Sequence, residues 1–290
     1  MSLARYAVFG HPIAHSLSPR LHALFGERAG IALEYTAIDA APEAFTDVVH
    51  AFFAAGGGGA NVTLPHKAAA FELADTRTET AQRLGVANVL TLLPDGRIEA
   101  DSNDGAGMLA DLRACCGVEP SGHRVLLLGA GGAARAAAFA LLQANVKSLV
   151  VANRTFERAQ TLVDALAQPE RVRVAEWGSL ERCDRFDLVI NATSAGVQHT
   201  KLGLPSSLAD ATTVAYDLSY GLAAQPFVAW ARTAGCAAAF DGLGMLIETA
   251  AASFLRWHGV RPDTEAALRA LRGGPHPPAA LPRPPSFRRG

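Results

Sequence analysis

The sequence has almost no net charge and no long hydrophobic run, and each shortage excludes a class of protein. Its 290 residues carry a formal net charge of −1, which gives no reason to expect a nucleic-acid or membrane surface. No apolar run approaches the roughly 18 residues that a membrane-spanning helix needs. The apolar stretch near Met1 is too short for a signal peptide. We therefore expect neither nucleic acid nor membrane as a partner.

Cysteine is also scarce. The four cysteines form no CxxC pair, and the adjacent Cys115 and Cys116 cannot easily bond to each other. The simplest interpretation of this cysteine pattern is that the thiols are reduced and the protein is cytoplasmic. His11 and His15 stand four residues apart, as a metal pair would on a helix, but Pro12 predicts a loop there. No metal site is expected.

Apolar residues are what the chain has in abundance. Half of its residues are hydrophobic and 18% are charged, which is the composition of a well-packed globular protein. A length of 290 residues exceeds the needs of one ordinary domain, so two domains are expected. The oligomeric state is left open between monomer and homodimer.

The first hundred residues alternate between strand and helix patterns, which predicts an α/β domain with a mostly parallel sheet. In chain order, strands are predicted at 6–10, 33–39 and 60–64, and helices at 18–29 and 42–54. Gly56 to Gly59 read as a flexible turn, and Pro65 places Lys67 in the loop beyond a strand. A small hairpin is predicted around Pro94, Asp95 and Gly96.

A second alternation begins near residue 123 and predicts a doubly wound, Rossmann-like domain, because its short apolar strands suit a sheet covered on both faces. Further strands are predicted at 148–154, 186–193 and 213–220, and helices at 155–167, 243–257 and 263–272. From Gly273 the chain has six prolines in 18 residues and no acidic residue. This composition predicts a disordered tail at 273–290.

A glycine-rich turn opens the second domain. In "VLLLGAGGAAR", Gly129, Gly131 and Ala134 form a G-x-G-x-x-A pattern between a strand and a helix. The first glycine permits a tight turn, the second lets the backbone approach a pyrophosphate, and the alanine lets the helix pack closely on the sheet. The N–H groups at the helix start would hold the anion. We therefore predict dinucleotide binding by the turn that also contains Ala130, Gly132 and Ala133.

The end of the next strand favours NADP over NAD. An NAD site usually has Asp or Glu about 20 residues after the glycines, but this strand ends in Asn153, Arg154 and Thr155, with Arg158 following. The two arginines can clamp a 2′-phosphate, and the threonine can add a hydroxyl donor.

A lysine and an aspartate are candidates for proton transfer. An enzyme that reduces a carbonyl needs a proton donor beside it, and a desolvated lysine such as Lys67 can serve. Asp104, in "DSNDG", is a candidate partner that could orient the ammonium. Spacing alone does not show that they meet. His66 could be a proton shuttle, although an ordinary loop histidine is the simpler interpretation.

Taken together, these motifs give the chain a close resemblance to the shikimate dehydrogenase family across residues 5 to about 272. The matching stretches, in chain order, are "YAVFGHPIAHSLSP", "GANVTLPHK", "GVANVL", "DSNDGAG", "LLGAGGAAR", "NRT", "INATSAG" and "DGLGMLIETAA". The resemblance implies reversible reduction of 3-dehydroshikimate to shikimate with NADPH, in chorismate and aromatic amino acid biosynthesis. It implies catalytic roles for Lys67 and Asp104.

The same resemblance implies roles for further polar residues. Ser16 and Ser18 fall where hydroxyls bind the substrate carboxylate, although Ser18 could instead cap the helix that starts at Pro19. Other positions match substrate contacts: Thr63, Asn88 and Tyr220.

On the cofactor side, three more residues are expected to contribute. Thr193 lies in the matching "INATSAG", Gly242 would allow approach to the nicotinamide, and Met245 could pack on its face or simply belong to the core. Asp241 is expected to cap the helix that follows.

Two stretches depart from the family pattern. Thr249 stands where the family has a substrate-contacting glutamine, and Ser102 and Asn103 replace the Asn and Thr of the usual "DNTDG". A threonine offers one hydroxyl in place of an amide, which would weaken binding by roughly 0.5–1.5 kcal/mol. Two alternatives therefore stay open: a paralogue acting on quinate, an aminoshikimate-type compound or another cyclic hydroxy acid, and a non-catalytic protein that binds NADP or a metabolite.

The domain prediction follows from these motifs. Residues 1–105 would form the substrate-binding domain, completed by 241–272, and residues 106–240 would form the NADP-binding domain. The active site is expected in the cleft between them.

Overall fold

A computed structural model of the chain describes residues 3–272 except 199 and 201. The tail predicted at 273–290 lies outside the described residues. Contacts between Cα atoms divide the chain into two compact units. The first unit comprises Met1–Gly107 and Leu246–Leu271, and the second is built on Met108–Met245.

The first unit contains a mixed six-stranded sheet with the order β2-β1-β3-β5-β6-β4. Its strands are β1 Ala4–Gly10, β2 Leu33–Asp39, β3 Gly57–Val62, β4 Thr76–Arg77, β5 Val89–Leu92 and β6 Ile98–Asp101. Strand β1 pairs in parallel with β2 and β3, and β4 pairs in parallel with β6. The predicted hairpin is confirmed as the antiparallel pair of β5 and β6.

Helices cover both faces of this sheet. In chain order they are α1 Ser18–Ala29, α2 Phe45–Ala54, α3 Lys67–Leu73 and α4 Glu79–Leu84, to which the unit adds most of α9 Leu243–His258 and α10 Thr264–Arg272. Successive residues of β1 point to opposite faces. Ala7 and Phe9 belong to one hydrophobic cluster, and Tyr6 and Val8 belong to another.

Helix α1 begins where the sequence predicts, but its capping differs from the prediction. The residue at the N-cap position is Leu17, and it makes no side-chain capping bond. Ser18 is the first helical residue, so the interpretation of Ser18 as a cap is wrong. Ser16 Oγ instead accepts a hydrogen bond from the backbone N–H of Ser18 at 3.3 Å.

The glycine stretch before the third strand is not the flexible turn that its composition suggests. Gly57 and Gly59 lie within β3, between β1 and β5. A Cβ atom on Gly57 would lie 2.2 Å from the Phe52 ring, and one on Gly59 would lie 2.4 Å from Trp257. Glycine is required here because aromatic rings pack directly on the strand backbone.

The position of Lys67 also differs from the prediction. Strand β3 ends at Val62, and Lys67 is the first residue of the short helix α3 instead of a loop residue. Its carbonyl accepts a hydrogen bond from the N–H of Ala87 at 2.8 Å. The backbone that carries Lys67 is therefore held in place by the chain leading into β5.

The second unit is the doubly wound structure that the sequence predicts. Its six strands are all parallel in the order β12-β11-β10-β7-β8-β9. They are β7 Arg124–Leu128, β8 Ser148–Asn153, β9 Val172–Glu176, β10 Leu188–Asn191, β11 Val214–Asp217 and β12 Ala238–Phe240. The strand order reverses between β7 and β10, which is where such sheets bind ligands.

Helices also cover both faces of the second sheet. They are α5 Asp104–Ala114, α6 Gly132–Gln143, α7 Phe156–Leu166 and α8 Gln225–Thr233, with short 3₁₀ turns at Trp177–Arg182, Ser206–Leu208 and Gly221–Ala224. Along β7, Val125 and Leu127 join one hydrophobic cluster, and Leu126 and Leu128 join another. Both faces of the strand are thus covered, as its continuous apolar sequence predicts. Within the described residues, no helix is both long and apolar enough to cross a membrane.

Candidate active site and dinucleotide-binding turn

The structure brings the two predicted proton-transfer residues together in the first unit. Lys67 Nζ donates a hydrogen bond to Asp104 Oδ2, and the two side chains are 12% and 10% exposed. Each residue is the first of its helix. A carboxylate is favoured near a helix N-terminus and an ammonium is disfavoured there. The ion pair with Asp104 therefore helps to hold Lys67 in a position that its own helix dipole opposes.

Asn88 fixes the carboxylate of this pair. Its Nδ2 donates to Asp104 Oδ1 at 2.8 Å and to Asn103 Oδ1 at 2.7 Å, while its Oδ1 accepts from the N–H of Asn103 at 2.8 Å. Both amide hydrogens of Asn88 are thus engaged, and one acceptor lone pair is left for a ligand.

A cavity of about 90 Å³ lies over the pair, within the first unit. Polar side chains expected from the sequence line it: Ser18, Thr63, Lys67, Asn88, Asp104 and Thr249. The Oγ1 atom of Thr249 is buried and has no hydrogen-bond partner in the described part of the protein. Apolar side chains complete the wall: Val8, Val62, Leu246 and Ala250. The cavity combines a few polar groups with an apolar wall, as small-molecule sites do.

Two predicted substrate residues are not among those that line this cavity. Ser16 is absent from the cavity wall and bonds the backbone of Ser18. Tyr220 is a half-buried residue of the second unit, directly before the 3₁₀ turn at Gly221–Ala224.

Asn61 is a cavity residue that the sequence reasoning missed. Its Oδ1 accepts from Tyr35 Oη at 2.8 Å, and its Nδ2 donates to Ser253 Oγ at 2.8 Å. It lies in the same "GANVTLPHK" stretch as Thr63 and Lys67, two residues before Thr63. Residues two apart in extended chain project to the same side, so this spacing is the signal that could have identified it.

His66 is a buried residue of the first unit rather than an exposed loop residue. It is 2% exposed, stacks on Phe45 with ring centroids 4.3 Å apart, and its Nε2 lies 2.8 Å from the carbonyl oxygen of Ala40. Burial lowers the pKa of its imidazole. These contacts make His66 a core residue that anchors the start of α3.

Glu248 does not bring a negative charge to the cavity. Although 6% exposed, it accepts a hydrogen bond from Arg261 at 2.7 Å. As the helical spacing predicts, its side chain points away from that of Thr249.

In the second unit, the glycine-rich turn has the backbone that the sequence predicts. Gly129 has φ of +111°, and a Cβ there would lie 2.8 Å from the carbonyl oxygen of Ala192. Ala134 is fully buried, so α6 packs closely on the sheet.

The start of α6 fits an anionic ligand. Gly131 is its N-cap residue and supplies no side-chain capping bond. A Cβ built on Gly131 would meet no atom of the described protein within 4 Å, so packing does not account for the glycine. A glycine that packing does not require, beside a 12-residue helix without a side-chain cap, suits the phosphates of a dinucleotide.

The end of β8 fits a 2′-phosphate. Asn153 Nδ2 donates to the carbonyl of Thr155 at 2.9 Å, which shapes the turn into α7. Arg154 and Arg158 are exposed, and among the described residues neither forms an ion pair. Both guanidinium groups are thus available to an anionic ligand.

The remaining predicted cofactor residues also lie in the second unit. Thr193 Oγ1 donates to Asn191 Oδ1 at 2.7 Å. A Cβ on Gly242 would lie 2.3 Å from the carbonyl oxygen of Leu218, so close backbone packing already requires this glycine. Met245 is 8% exposed and belongs to the core cluster of the unit. Asp241 Oδ1 accepts from the N–H of Leu243 at 3.4 Å, as a cap of α9 would.

A buried carboxylate supports the strand ends near Thr193. Asp217 is fully buried, and it accepts hydrogen bonds from Asn191 Nδ2 and the N–H of Ser219, each at 2.8 Å. Burial raises its pKa to about 6, against the opposing effect of these hydrogen bonds.

A doubly wound sheet with a glycine-rich turn at the start of a helix, in a chain that also holds a buried lysine–aspartate pair, is typical of dinucleotide-dependent oxidoreductases. The sequence profile described as "Shikimate dehydrogenase substrate binding domain" matches residues 8–90. The profile "Shikimate / quinate 5-dehydrogenase" matches residues 116–203. The chain belongs to the shikimate dehydrogenase family.

Individual relatives agree with this membership. The chain is 52% identical to a shikimate dehydrogenase (NADP(+)) of Xanthomonas campestris pv. campestris, over 94% of this chain and 96% of the relative. Its structure is similar to an Ael1 enzyme from Pseudomonas putida, at 43% identity and a TM-score of 0.85, covering 92% and 98% of the two chains. It is also similar to shikimate 5-dehydrogenase (AroE) of Thermus thermophilus in complex with NADP(H) and shikimate, at 34% identity and a TM-score of 0.82, covering 93% and 99%.

Proposed function

We propose that this protein is an NADP-dependent shikimate dehydrogenase that interconverts 3-dehydroshikimate and shikimate. The observation that carries the proposal is the buried Lys67–Asp104 pair beside a small polar cavity, in a chain 52% identical to an enzyme of that name. The proposal includes a role in chorismate and aromatic amino acid biosynthesis. It also includes a cytoplasmic location, where the four cysteine thiols would stay reduced.

Proton transfer is the task of the lysine. In reduction, Lys67 Nζ gives a proton to the oxygen of the ring carbonyl as that oxygen gains negative charge. In oxidation, Nζ accepts the proton of the hydroxyl group. Asp104 accepts a hydrogen bond from Nζ throughout and thereby keeps the ammonium aimed at the cavity.

The neutral polar groups of the cavity wall would bind the substrate. Ser18 would hold the carboxylate, and Thr63, Asn88, Thr249 and Asn61 would meet ring hydroxyls. Ser16, which does not line the cavity, is proposed as a second contact of the carboxylate. Tyr220 is proposed as a further contact. Neutral donors can bind a carboxylate without adding a second buried charge beside the Lys67–Asp104 pair.

NADPH, when bound, supplies the hydride to the carbonyl carbon. The turn of residues 129–133 and the start of α6 would hold its phosphates. Asn153, Arg154, Thr155 and Arg158 would hold the ribose and 2′-phosphate, and Thr193, Gly242 and Met245 would lie beside the nicotinamide. In domain terms, residues 1–105 with 241–272 would bind substrate and residues 106–240 would bind NADP, in a monomer or homodimer.

A substrate and cofactor panel tests the proposal. Shikimate and quinate are each assayed with NADP⁺ and NAD⁺, and dehydroshikimate with NADPH and NADH, with initial rates followed by the absorbance of the reduced cofactor. We expect the highest kcat/KM for shikimate with NADP⁺. Failure to turn over any of the three compounds would instead support the non-catalytic alternative.

Quinate or a related cyclic hydroxy acid is the second candidate substrate. The observation that favours it is Thr249, whose short side chain and unpartnered hydroxyl border the cavity. The profile matching residues 116–203 carries quinate in its description. A higher kcat/KM for quinate than for shikimate in the same panel would select this candidate.

A further inference from the structure

A continuous hydrogen-bond network joins the lysine–aspartate pair to α9, and Asn103 lies at its centre. Asn103 Oδ1 accepts from Asn88, and Asn103 Nδ2 donates to the carbonyl oxygen of Thr249 and to Ser253 Oγ, each at 3.1 Å. Asn103 is 9% exposed and Ser253 is fully buried. The side chains that follow Asp104 in this network thus end on the helix that carries Thr249.

Asp104 dictates the direction of the bonds made by the Asn88 and Asn103 side chains. A carboxylate can only accept, so the Asn88 amide nitrogen must face Asp104. The same nitrogen donates to Asn103, so the side-chain oxygen of Asn103 faces Asn88 and its amide nitrogen faces α9. The orientation of each amide is thereby determined by a charged group with no donor of its own.

Ser253 is matched to Asn103 in its bonding capacity. A serine hydroxyl has one hydrogen to donate and two lone pairs to accept. Ser253 Oγ donates to the carbonyl oxygen of Thr249 at 3.1 Å and accepts from Asn103 and Asn61. All three positions are filled. A single hydroxyl at residue 103 could not supply the two donors and one acceptor that Asn103 supplies.

The network acts on both sides of the cavity at once. Through Asn88 it orients Asp104, which binds Lys67, and through the carbonyl of Thr249 it holds the turn of α9 that borders the cavity. The hydroxyl of Thr249 takes no part in it. The backbone of Thr249 is therefore held while its side chain remains available to a ligand.

We propose that Asn103 and Ser253 are a matched pair of positioning residues that set the aim of the Lys67–Asp104 pair and the placement of Thr249 together. This deepens the proposed function and rests on it. Two departures from the family pattern, at residues 103 and 249, are then parts of one arrangement. Changing either member of the pair should disturb both proton transfer and recognition of the substrate.

The test compares Asn103→Ala, Ser253→Ala and the double variant with the unchanged protein. Hydrogen bonds that act on a charged group are worth roughly ten- to a hundredfold. We expect Asn103→Ala to lower kcat by that factor and to shift the pH profile of kcat. Ser253→Ala should raise KM for the cyclic substrate and lower kcat by a smaller factor than Asn103→Ala does. The double variant should lose less than the product of the two single losses, because the residues act as a unit.

Thr91→Val is the matched control. Thr91 Oγ1 accepts from Trp257 Nε1 at 3.2 Å and from Arg256 Nε at 3.0 Å, so it too ties α9 to the sheet, but outside the network. The Thr91→Val substitution should lower the thermal unfolding temperature of the protein without changing kcat, the pH profile of kcat or KM. Equal kinetic losses in Thr91→Val would show that general docking of α9 is responsible and would overturn the proposal.

Two further outcomes separate this proposal from the proposed function. If the unchanged protein turns over none of the panel compounds, the proposed function fails. If it is active but Ser253→Ala and Asn103→Ala keep its kcat, pH profile and KM, only the positioning proposal fails. Should Asn103→Ala not fold, as judged by circular dichroism, the smaller Ser253→Ala change decides on its own.

Discussion

The two units hold buried carboxylates in different ways. In the first unit, Asp104 and Glu248 each have a cationic partner, Lys67 and Arg261. In the second unit, Asp217 has no cationic partner among the described residues and is held by a neutral amide and a backbone N–H. A paired charge can hold and pass on a proton, whereas an unpaired buried acid resists ionisation. The contrast supports the proposal that the first unit carries the proton chemistry and the second unit anchors the cofactor.

Replacing Lys67 with Met is the strongest test of this contrast. Removal of a general acid–base group typically lowers turnover by roughly two to four orders of magnitude. We expect that loss in kcat with shikimate, while the Kd for NADP⁺ from calorimetric titration stays unchanged. The exposed Lys147→Met serves as the matched control and should keep full turnover. Near-full turnover in Lys67→Met would contradict the assignment of proton transfer to the first unit.

Replacing Arg154 and Arg158 together with Ala tests the anchoring role of the second unit. Losing charged contacts to a 2′-phosphate should lower kcat/KM for NADP⁺ roughly ten- to a hundredfold and leave kcat/KM for NAD⁺ almost unchanged. Arg173→Ala, an exposed arginine on the neighbouring β9, is the control. An equal decrease in kcat/KM with both cofactors would mean that the two arginines do not recognise the 2′-phosphate.

His22 of the first unit differs from these paired carboxylates, because it is a buried base without a charged partner. It stacks on Tyr35 with ring centroids 4.0 Å apart, and neither ring nitrogen has a hydrogen-bond partner in the described protein. The amide of nearby Asn61 already donates to Ser253. Burial, and secondarily the charge of His258, lower the pKa of His22 to about 3.

The stability of the first unit should therefore fall in acid. The unfolded chain binds a proton on His22 near pH 6.5, but the folded chain does so only near pH 3. The contribution of neutral His22 to stability is fully present above pH 6.5. The free energy of unfolding then declines by up to about 1.4 kcal/mol per pH unit as the pH falls toward 3. Amide hydrogen exchange in peptides of the first unit measures this slope. His22→Phe should flatten it, whereas the exposed His50→Gln should leave it steep.

Asp217 should produce a smaller effect of the opposite sign in the second unit. Its folded pKa of about 6 exceeds its ordinary value of 3.8. The contribution of protonated Asp217 to the free energy of unfolding is fully present below pH 3.8. It is lost as the pH rises through 6, because the carboxyl ionises more easily in the unfolded chain. Hydrogen exchange in β10 and β11 should thus accelerate over this window, and Asp217→Asn should abolish the trend. An equal trend in that variant would show that another group is responsible.

Much of the fold and of the candidate site could be predicted from the sequence, for identifiable reasons. The G-x-G-x-x-A turn was predictable because glycine readily adopts the positive φ of Gly129, and short apolar runs predicted four strands of the second unit, β7, β8, β10 and β11. The meeting of Lys67 with Asp104 came from the family resemblance, since spacing carries no information about tertiary contact.

Other features could not be predicted because they depend on partners distant in the sequence. The burial of His66 depends on Phe45 and Ala40, and the network around Asn103 depends on Ser253. The very short strand β4 and the strand β9 lacked a distinct local pattern and were missed. Asn61 was missed because its partners Tyr35 and Ser253 are also distant in the sequence.

The glycines of β3 have a consequence for variation in this protein. Gly57 and Gly59 carry no functional group and do not border the cavity, yet Phe52 and Trp257 occupy the space that any side chain there would need. In a saturation mutagenesis screen for growth or activity, these positions should tolerate as few substitutions as Lys67 itself. A map of mutational tolerance would therefore mark a second sensitive segment directly upstream of the reacting residues, and protein abundance rather than turnover would distinguish the two.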